Sequence, residues 1–241
     1  MRICIVDERM PSEAKRRLTL EGFYIIEAKP DKRLPSPLSS HPDMLFFFHE
    51  KTLISSAEYC EDYPFIFEDL SRLIPGLTIK LTGDVFGEKY PSDAIFNALV
   101  MGDKIFLKED SASESVIAYA KERGLKICKT KQGYPACTTL ALTKNSAITA
   151  DEGIKKALTA EGIDVTLIEN GDISLPPYEY GFIGGASGVY KDKLYFIGDV
   201  ELHRDGEKIK EAAKSHGLTQ ISLGAFPLCD LGKIIFIESD I

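Results

Sequence analysis

A short motif recurs along this chain at nearly constant spacing, and internal repetition of this kind restricts the available folds more than any other feature. GLKICKTKQGYPAC ends at Cys137 and GLTQISLGAFPLC ends at Cys229, and both combine a strand-like segment with an aromatic-Pro-x-Cys turn. Looser copies end at Asp43 (SSHPD) and Asp93 (EKYPSD), and a fifth copy, YGFIGG, has glycine in place of proline and ends at Gly185. The equivalent positions are 49, 44, 49 and 43 residues apart, which indicates five copies of one supersecondary unit.

The same predicted elements follow each motif. Two strands joined by a short turn come first, as in ALVMGDKIFLK, LALTKNSAITA and GVYKDKLYFIG. A helix comes next: in DEGIKKALTAEG, Asp151 is the predicted N-cap, Ile154 and Leu158 share the apolar face, and Gly162 ends the helix. A short strand completes the unit.

The two ends of the chain each carry half of a unit. The N-terminal CIVDERMPSEAKRRLTLEGFYIIEA is similar to the back half of a unit, and the C-terminal FPLCDLGKIIFIE is similar to a front half. We therefore predict a single α/β domain over residues 1–241, a five-bladed β/α-propeller with pseudo-five-fold symmetry, whose ring is closed by the terminal half-units. The motif loops would then surround one axis and form a pocket there.

Composition narrows the classes of partner. The net charge is −8 and the basic residues are scattered, which disfavours a nucleic-acid partner. The chain has no apolar run of the length needed to span a membrane, and its start lacks a basic-then-apolar signal layout, so we expect a cytoplasmic protein without a membrane partner. Five cysteines without a C-x-x-C pair, and histidines without ligand spacing, predict neither a disulfide framework nor a metal site. No cofactor is expected.

This arrangement resembles the pentein, or guanidino-group-modifying, superfamily, which includes arginine and agmatine deiminases, dimethylarginine dimethylaminohydrolase and glycine amidinotransferase. The motifs HPD (41–43), EKYPSD (88–93), QGYPAC (132–137) and GFIGG (181–185) are similar to an uncharacterised bacterial branch of that fold. The resemblance implies a nucleophilic cysteine, a histidine from an H-x-D motif in a different unit, and acidic residues that hold a guanidinium group. It also implies attack on the guanidinium carbon, loss of an amine, and hydrolysis of a thiouronium adduct.

Two assignments of the nucleophile stay open. The superfamily places its histidine in the third unit and its cysteine in the fifth, but the third unit here opens with PACTT, so Cys229 at the usual position would lack a base. A rotated assignment, in which the histidine and the cysteine are both moved to other units of the ring, supplies the missing base. His41 opens the first unit and Cys137 lies two units further on, which is the superfamily spacing, and Asp230 would orient His41. Cys137 also has a purely structural interpretation, as a small residue packed at a tight turn.

Several other residues are predicted to contact a ligand in the axial pocket. Guanidinium is planar, cationic and rich in hydrogen-bond donors, so it requires carboxylates. Asp43, Asp93 and Asp230 each lie at or next to a copy of the repeat motif. Asn97 faces either the pocket or a neighbouring strand. Gly184 and Gly185 would allow the backbone to approach the pocket closely. The alternative for the two aspartates is that they cap turn amides.

These observations favour a cysteine-dependent hydrolase or transferase that acts on a cationic guanidino or amidino small molecule. The alternative is a non-catalytic protein on the same fold, which binds a small ligand or a protein. GFIGGASG is not a dinucleotide-binding loop, because a predicted strand hairpin rather than a helix follows its glycines. The sequence does not define the oligomeric state.

Overall fold

A computed structural model of the chain describes residues 1–239, which fold into short strands and helices. The strands are β1 (Arg2–Asp7), β2 (Phe23–Ala28), β3 (Phe46–His49), β4 (Thr52–Ser56), β5 (Thr78–Thr82), β6 (Leu99–Met101), β7 (Lys104–Leu107), β8 (Lys126–Lys129), β9 (Thr139–Thr143), β10 (Ser146–Thr149), β11 (Asp164–Leu167), β12 (Ile173–Ser174), β13 (Ser187–Tyr190), β14 (Lys193–Phe196), β15 (Thr219–Ser222), β16 (Leu228–Cys229) and β17 (Ile235–Glu238). The helices are α1 (Ser12–Leu20), α2 (Pro42–Leu45), α3 (Ala57–Asp62), α4 (Pro64–Leu73), α5 (Glu114–Glu122), α6 (Pro135–Thr138), α7 (Glu152–Ala160) and α8 (Gly206–Ser215). Two 3₁₀ turns cover Ser36–Leu38 and Val200–Leu202.

Five three-stranded sheets share one topology. Their strand orders are β3-β4-β5, β6-β7-β8, β9-β10-β11, β13-β14-β15 and β17-β1-β2. In each sheet the first pair is antiparallel and the second pair is parallel, as expected for a hairpin followed by a helical crossover. The mixed α/β fold predicted from the repeats is confirmed. The sheets form no closed barrel within residues 1–239, and the five-bladed ring stays a prediction.

The fifth sheet joins the two ends of the chain. Strand β17 runs antiparallel to β1, with Ile3 opposite Ile237 and Ile5 opposite Ile235, and β1 runs parallel to β2. These four isoleucines are buried, so the pairing contributes apolar packing as well as backbone hydrogen bonds. The front half-unit and the back half-unit recognised in the sequence thus share one sheet.

The crossover helices begin and end where the sequence places their signals. The Asp151 carboxylate accepts a 2.7 Å hydrogen bond from the Ile154 amide and caps α7, whose buried face includes Ile154 and Leu158. Gly162, just after α7, has a φ of +79°, a left-handed conformation that glycine adopts without steric cost. Helix α7 contacts β10 and β11, the two parallel strands of its own sheet that it connects.

Two very short helices bring the repeat motifs into the interior. Helix α2 begins at Pro42 and α6 begins at Pro135, where the missing amide hydrogen costs no helical hydrogen bond. Backbone hydrogen bonds connect the motifs of different units: the Asp43 amide donates to Gly232 O at 3.0 Å, and the Gly185 amide donates to Cys137 O at 2.9 Å. Motifs that are far apart in sequence are thereby held at one place.

The cysteines are unpaired and the helices are short among the residues that the structure describes. All five cysteines are free, and Cys4 and Cys128 are buried as small apolar residues. Across residues 1–239, no helix has both the length and the apolar character needed to cross a bilayer.

Candidate active site

Three side chains from three different repeat units meet in the interior. The Cys137 thiol lies 3.4 and 3.5 Å from the two carboxylate oxygens of Asp230. His41 Nδ1 lies 3.9 Å from Asp230 Oδ1, and one ligand atom from each of the three residues lies within 4.8 Å of the others. All three residues are buried. The structure thus brings together the residues that the rotated assignment selects.

Each of the three side chains is placed by its backbone element. His41 is the residue that precedes α2, Cys137 lies in α6, and Asp230 follows β16. The Phe182 amide donates to Asp230 Oδ2 at 2.8 Å and the Gly232 amide donates to Oδ1 at 3.1 Å, which fixes the orientation of the carboxylate. Two main-chain donors leave this carboxylate well satisfied in spite of its burial.

Glycines make room for the cluster. A Cβ atom at Gly185 would lie 1.9 Å from Asp230 Oδ1 and 2.8 Å from Cys137 Sγ. A Cβ atom at Gly232 would lie 2.2 Å from the His41 Cβ, and Gly232 also has a left-handed φ of +69°. The predicted close approach of the backbone at Gly185 is therefore a property of the site itself.

A further carboxylate on the other side of His41 was not selected from the sequence. Asp7 Oδ2 lies 4.0 Å from His41 Nε2, so the imidazole stands between Asp7 and Asp230. Asp7 is fully buried, is paired with Arg9 at 2.5 Å, and accepts a 2.8 Å hydrogen bond from the Ser40 hydroxyl. The only sequence signal for Asp7 is its position at the end of the apolar strand RICIVD.

Burial dominates the electrostatics of the site. It lowers the pKa of His41, against the opposing influence of Asp230 and Asp7. It raises the pKa of the Cys137 thiol well above 9, and the neighbouring carboxylates Asp230 and Asp43 raise it further. Burial together with Asp230 raises the pKa of Asp43 to about 7, while Lys233 opposes this increase. These surroundings therefore favour a neutral imidazole and a neutral thiol, and a bound cation would favour the thiolate.

The other predicted ligand contacts fall in different surroundings. The Tyr134 hydroxyl donates to Asp93 Oδ2 at 2.6 Å, and Asp93 lines the same cavity as Cys137. Asn97 accepts from the Ala136 amide at 2.9 Å and donates to Asp43 O at 3.3 Å, so its amide connects two motifs. Gly184 packs against main-chain carbonyls, because a Cβ there would lie 2.4 Å from Thr139 O. Ligand contact by Asn97 and Gly184 stays a prediction.

Cys229, the alternative nucleophile, has surroundings of another kind. It is half-buried at the edge of an apolar cluster, and its thiol donates to Pro227 O at 3.4 Å. It is absent from the group of donor atoms around His41. Although Cys229 directly precedes Asp230 in the chain, of the two thiols it is that of Cys137 that joins the group formed with His41 and Asp230.

A cavity of about 600 Å³ leads to the three-residue cluster. His41, Cys137 and Asp230 line it together with Asp93. Its remaining wall is aromatic and aliphatic, with Tyr90, Tyr134, Tyr178, Tyr180, Phe182 and Leu175. Three further charged residues line the cavity, Glu88, Lys89 and Glu179. The volume is in the range of small-molecule binding sites.

The same three donors are of types that bind zinc. A thiolate, an imidazole and a carboxylate within 4.8 Å of one another match three of the four positions of a tetrahedral site. The sequence predicts no metal, because it lacks local ligand spacing, and the donors come from positions 41, 137 and 230. The absence of a metal therefore stays a prediction.

Comparison with solved structures identifies the fold. DDAH (dimethylarginine dimethylaminohydrolase) from Pseudomonas aeruginosa, in complex with citrulline, superposes with a TM-score of 0.57 at 15% identity, over 92% of this chain and 90% of that chain. An amidinotransferase of saxitoxin biosynthesis from Microseira wollei superposes with a TM-score of 0.57 at 13% identity, over 95% of this chain and 79% of that chain. Agmatine deiminase from C. jejuni superposes with a TM-score of 0.53 at 8% identity, over 92% of this chain and 76% of that chain. No curated protein sequence matches the chain significantly.

The fold is therefore that of the pentein superfamily, as the repeat motifs indicate. Similarity at this level of identity defines the architecture and leaves the chemistry to the site. The chain belongs to the DUF6873 family, a family of unknown function, whose model matches residues 5–235.

Proposed function

We propose that this protein is a cysteine-dependent hydrolase or transferase that acts on a small guanidino or amidino compound. The observation that carries the proposal is the convergence of Cys137, His41 and Asp230 at one buried point of a cavity, from three separate repeat units. We also infer that the five similar sheets surround one axis as a five-bladed propeller, which would place every motif loop near that point.

The charges around Cys137 suit a cationic substrate. Asp230 and Asp93 line the cavity, and Asp43 lies close enough to raise the pKa of the thiol. A guanidinium group would donate hydrogen bonds to the carboxylates and supply the positive charge that the buried cluster lacks. Because the same charge stabilises a thiolate, binding of the substrate would also activate the nucleophile.

The reaction would proceed by covalent catalysis. His41 takes the thiol proton, and Cys137 Sγ forms a bond to the guanidinium carbon. The carbon–nitrogen bond to the leaving amine then breaks, and protonated His41 gives its proton to that amine. In a hydrolase, His41 next removes a proton from water, whose oxygen attacks the thiouronium carbon. The carbon–sulfur bond then breaks, the proton on His41 returns to Cys137 Sγ, and a ureido product leaves. In a transferase, an amine takes the place of water.

The cavity wall indicates which substrate tails fit. The wall residues are mainly tyrosines, phenylalanine and aliphatic side chains, and the charges beyond the cluster are Glu88, Glu179 and Lys89. An excess of acidic over basic groups disfavours a tail with a free carboxylate. An aromatic, aliphatic or cationic tail would instead contact the tyrosine rings. We therefore expect guanidino compounds without a carboxylate to be preferred.

One observation favours the second candidate, a binding protein without catalysis. Neither ring nitrogen of His41 has a hydrogen-bond partner among residues 1–239, so the imidazole is not hydrogen-bonded to the Cys137 thiol. A binding protein could keep the acidic pocket without that contact. A hydrolase would form it when the ligand enters, since catalytic hydrogen bonds are often long in empty sites.

The test is a screen for turnover. The purified protein is incubated with guanidino compounds that carry apolar, cationic and carboxylate tails, and the mixtures are analysed by mass spectrometry for a ureido or newly amidinated product. We expect turnover of a compound without a carboxylate, and none with C137S. Binding of such compounds without any turnover would support the binding protein, and the absence of both binding and turnover would refute the proposal.

Binding should also depend on pH, because the pKa of Asp43 is raised to about 7. Below that value the carboxyl group is protonated and offers no charge to a cation. The affinity for benzamidine should therefore rise by up to about tenfold per pH unit from pH 5.5 to 7 and level off above. Calorimetric titration at several pH values measures this. D43N should make the rise shallower, and equal affinities of the wild type at pH 5.5 and pH 8 would contradict the argument.

A further inference from the structure

A second cavity, of about 260 Å³, lies beside the site on the other face of the cluster. Asp43 lines this cavity and Cys137 lines the first one, so the two cavities approach each other at this pair. Polar and apolar groups share its exposed wall, and five phenylalanines are among the residues that line it: Phe46, Phe47, Phe48, Phe96 and Phe236. The volume equals that of about nine water molecules in the liquid, which is enough for one aromatic ring with a small substituent.

Among residues 1–239, Lys233 is the only basic residue that lines this cavity. Its ammonium group forms no hydrogen bond and no ion pair with any residue between 1 and 239, although the charge acts on Asp43 and Cys137. Burial lowers the pKa of Lys233, against the opposing influence of Asp43 and Cys137, although the residue keeps partial contact with solvent. A charge in such surroundings is costly unless a counter-ion or a hydrogen-bond acceptor meets it.

Two further polar groups in the cavity wall lack partners. The Thr139 hydroxyl and both carboxylate oxygens of Asp43 are buried without a hydrogen-bond partner within residues 1–239. Thr139 is fully buried and Asp43 is 4% exposed, and both line the cavity together with Lys233. A buried polar atom without a partner is uncommon in folded proteins. These two buried groups, together with the Lys233 ammonium at the same cavity, indicate a ligand with a polar head.

We propose that this second cavity binds a small carboxylic acid with a single aromatic ring or a branched aliphatic group. The carboxylate would accept hydrogen bonds from the Lys233 ammonium and the Thr139 hydroxyl, and the apolar part would pack against the phenylalanines. The carboxylate is favoured over an uncharged ligand because Lys233 would then stay unpaired. It is favoured over a cationic head because Lys233 would repel a cation once the charge of Asp43 is balanced by a guanidinium group beside Cys137.

The two cavities should be coupled through Asp43, an inference that rests on the proposed function. A guanidinium group beside Cys137 would balance the charge of Asp43, and Lys233 would then be the only unbalanced charge in the second cavity. Each ligand should therefore increase the affinity for the other by the same factor, as thermodynamic linkage requires. Direct competition between them is not expected.

The test uses benzoate as the probe, with benzyl alcohol as its uncharged counterpart. Calorimetric titration of the full chain should show one benzoate site. K233M should weaken benzoate binding by about tenfold or more, while K208M, at an exposed lysine outside the cavity, should leave it unchanged. V189F, which places a ring in the cavity, should also abolish binding. Benzyl alcohol should respond to V189F and not to K233M.

Two results of the titration would overturn the proposal. One is the absence of benzoate binding at millimolar concentration, and the other is benzoate binding that K233M leaves unchanged. Alkylation of Cys137 by a haloacetamidine separates this proposal from the proposed function. Benzoate should not block the alkylation; block by benzoate would place it in the first cavity and contradict a separate site. Failure of alkylation with benzoate binding intact would count against the enzyme alone.

Discussion

Replacement of Cys137 by serine should reduce turnover of a guanidino substrate by at least about 10³-fold, because the serine hydroxyl is a far weaker nucleophile than a thiolate. The serine side chain is slightly smaller and keeps the position beside Asp230, so the fold should persist. Binding of the substrate should be retained, because Asp230, Asp93 and Asp43 remain. Steady-state kinetics and calorimetric titration of the same preparation measure the two effects separately.

The matched control is C229S. Cys229 is half-buried, donates to Pro227 O, and is absent from the cluster around His41, so its replacement should leave both turnover and binding unchanged. Loss of turnover in C229S together with retention in C137S would restore the usual superfamily position of the nucleophile. The assignment of His41 as the base would then be wrong as well.

Replacement of Gly185 by alanine should damage stability and the site together. The new methyl group would lie 1.9 Å from Asp230 Oδ1 and 2.8 Å from Cys137 Sγ, so the backbone or the carboxylate must move. Such overpacking lowers the free energy of unfolding by about 1–3 kcal/mol. Displacement of Asp230 would also remove its contact with Cys137. Urea denaturation reports the first effect, and the alkylation rate of Cys137 reports the second.

G83A provides the control for this substitution. A Cβ at Gly83 has no neighbouring atom within 4 Å and the residue is exposed, so the free energy of unfolding should change by less than about 0.5 kcal/mol. Wild-type stability and wild-type alkylation in G185A would show that the site does not depend on the close approach at this glycine.

The repeated motifs define the units of the fold because local chemistry determines their elements. The hairpins, the cap at Asp151 and the left-handed turn at Gly162 all depend on residues that are close in sequence. The pairing of β17 with β1 is not local, and it follows from the similarity of the terminal segments to two halves of one unit. The arrangement of the sheets around one axis depends on packing between units, which no short segment encodes.

The site is predictable only where a motif marks it. The repeated turn marks the positions of His41, Cys137 and Asp230, which lie at it or beside it. Alignment of the repeats therefore predicts that these residues are close in space although they are far apart in the sequence. Asp7 lies at the end of a strand in a unit whose own motif is at the other end of the chain. Lys233 lies after the last motif and gives no local sign that its side chain enters a cavity. Both residues require the three-dimensional arrangement to be recognised.

Alkylation by 2-chloroacetamidine tests the central claim most directly, because the reagent combines an amidinium group with a thiol-reactive carbon and needs no known substrate. The folded protein is treated at neutral pH, digested, and analysed by mass spectrometry, with neutral 2-chloroacetamide as the reference reagent. An active site at Cys137 predicts one adduct on that residue, formed faster than with the neutral reagent and slowed by benzamidine. An adduct on Cys229, or equal rates with the cationic and neutral reagents, would contradict it.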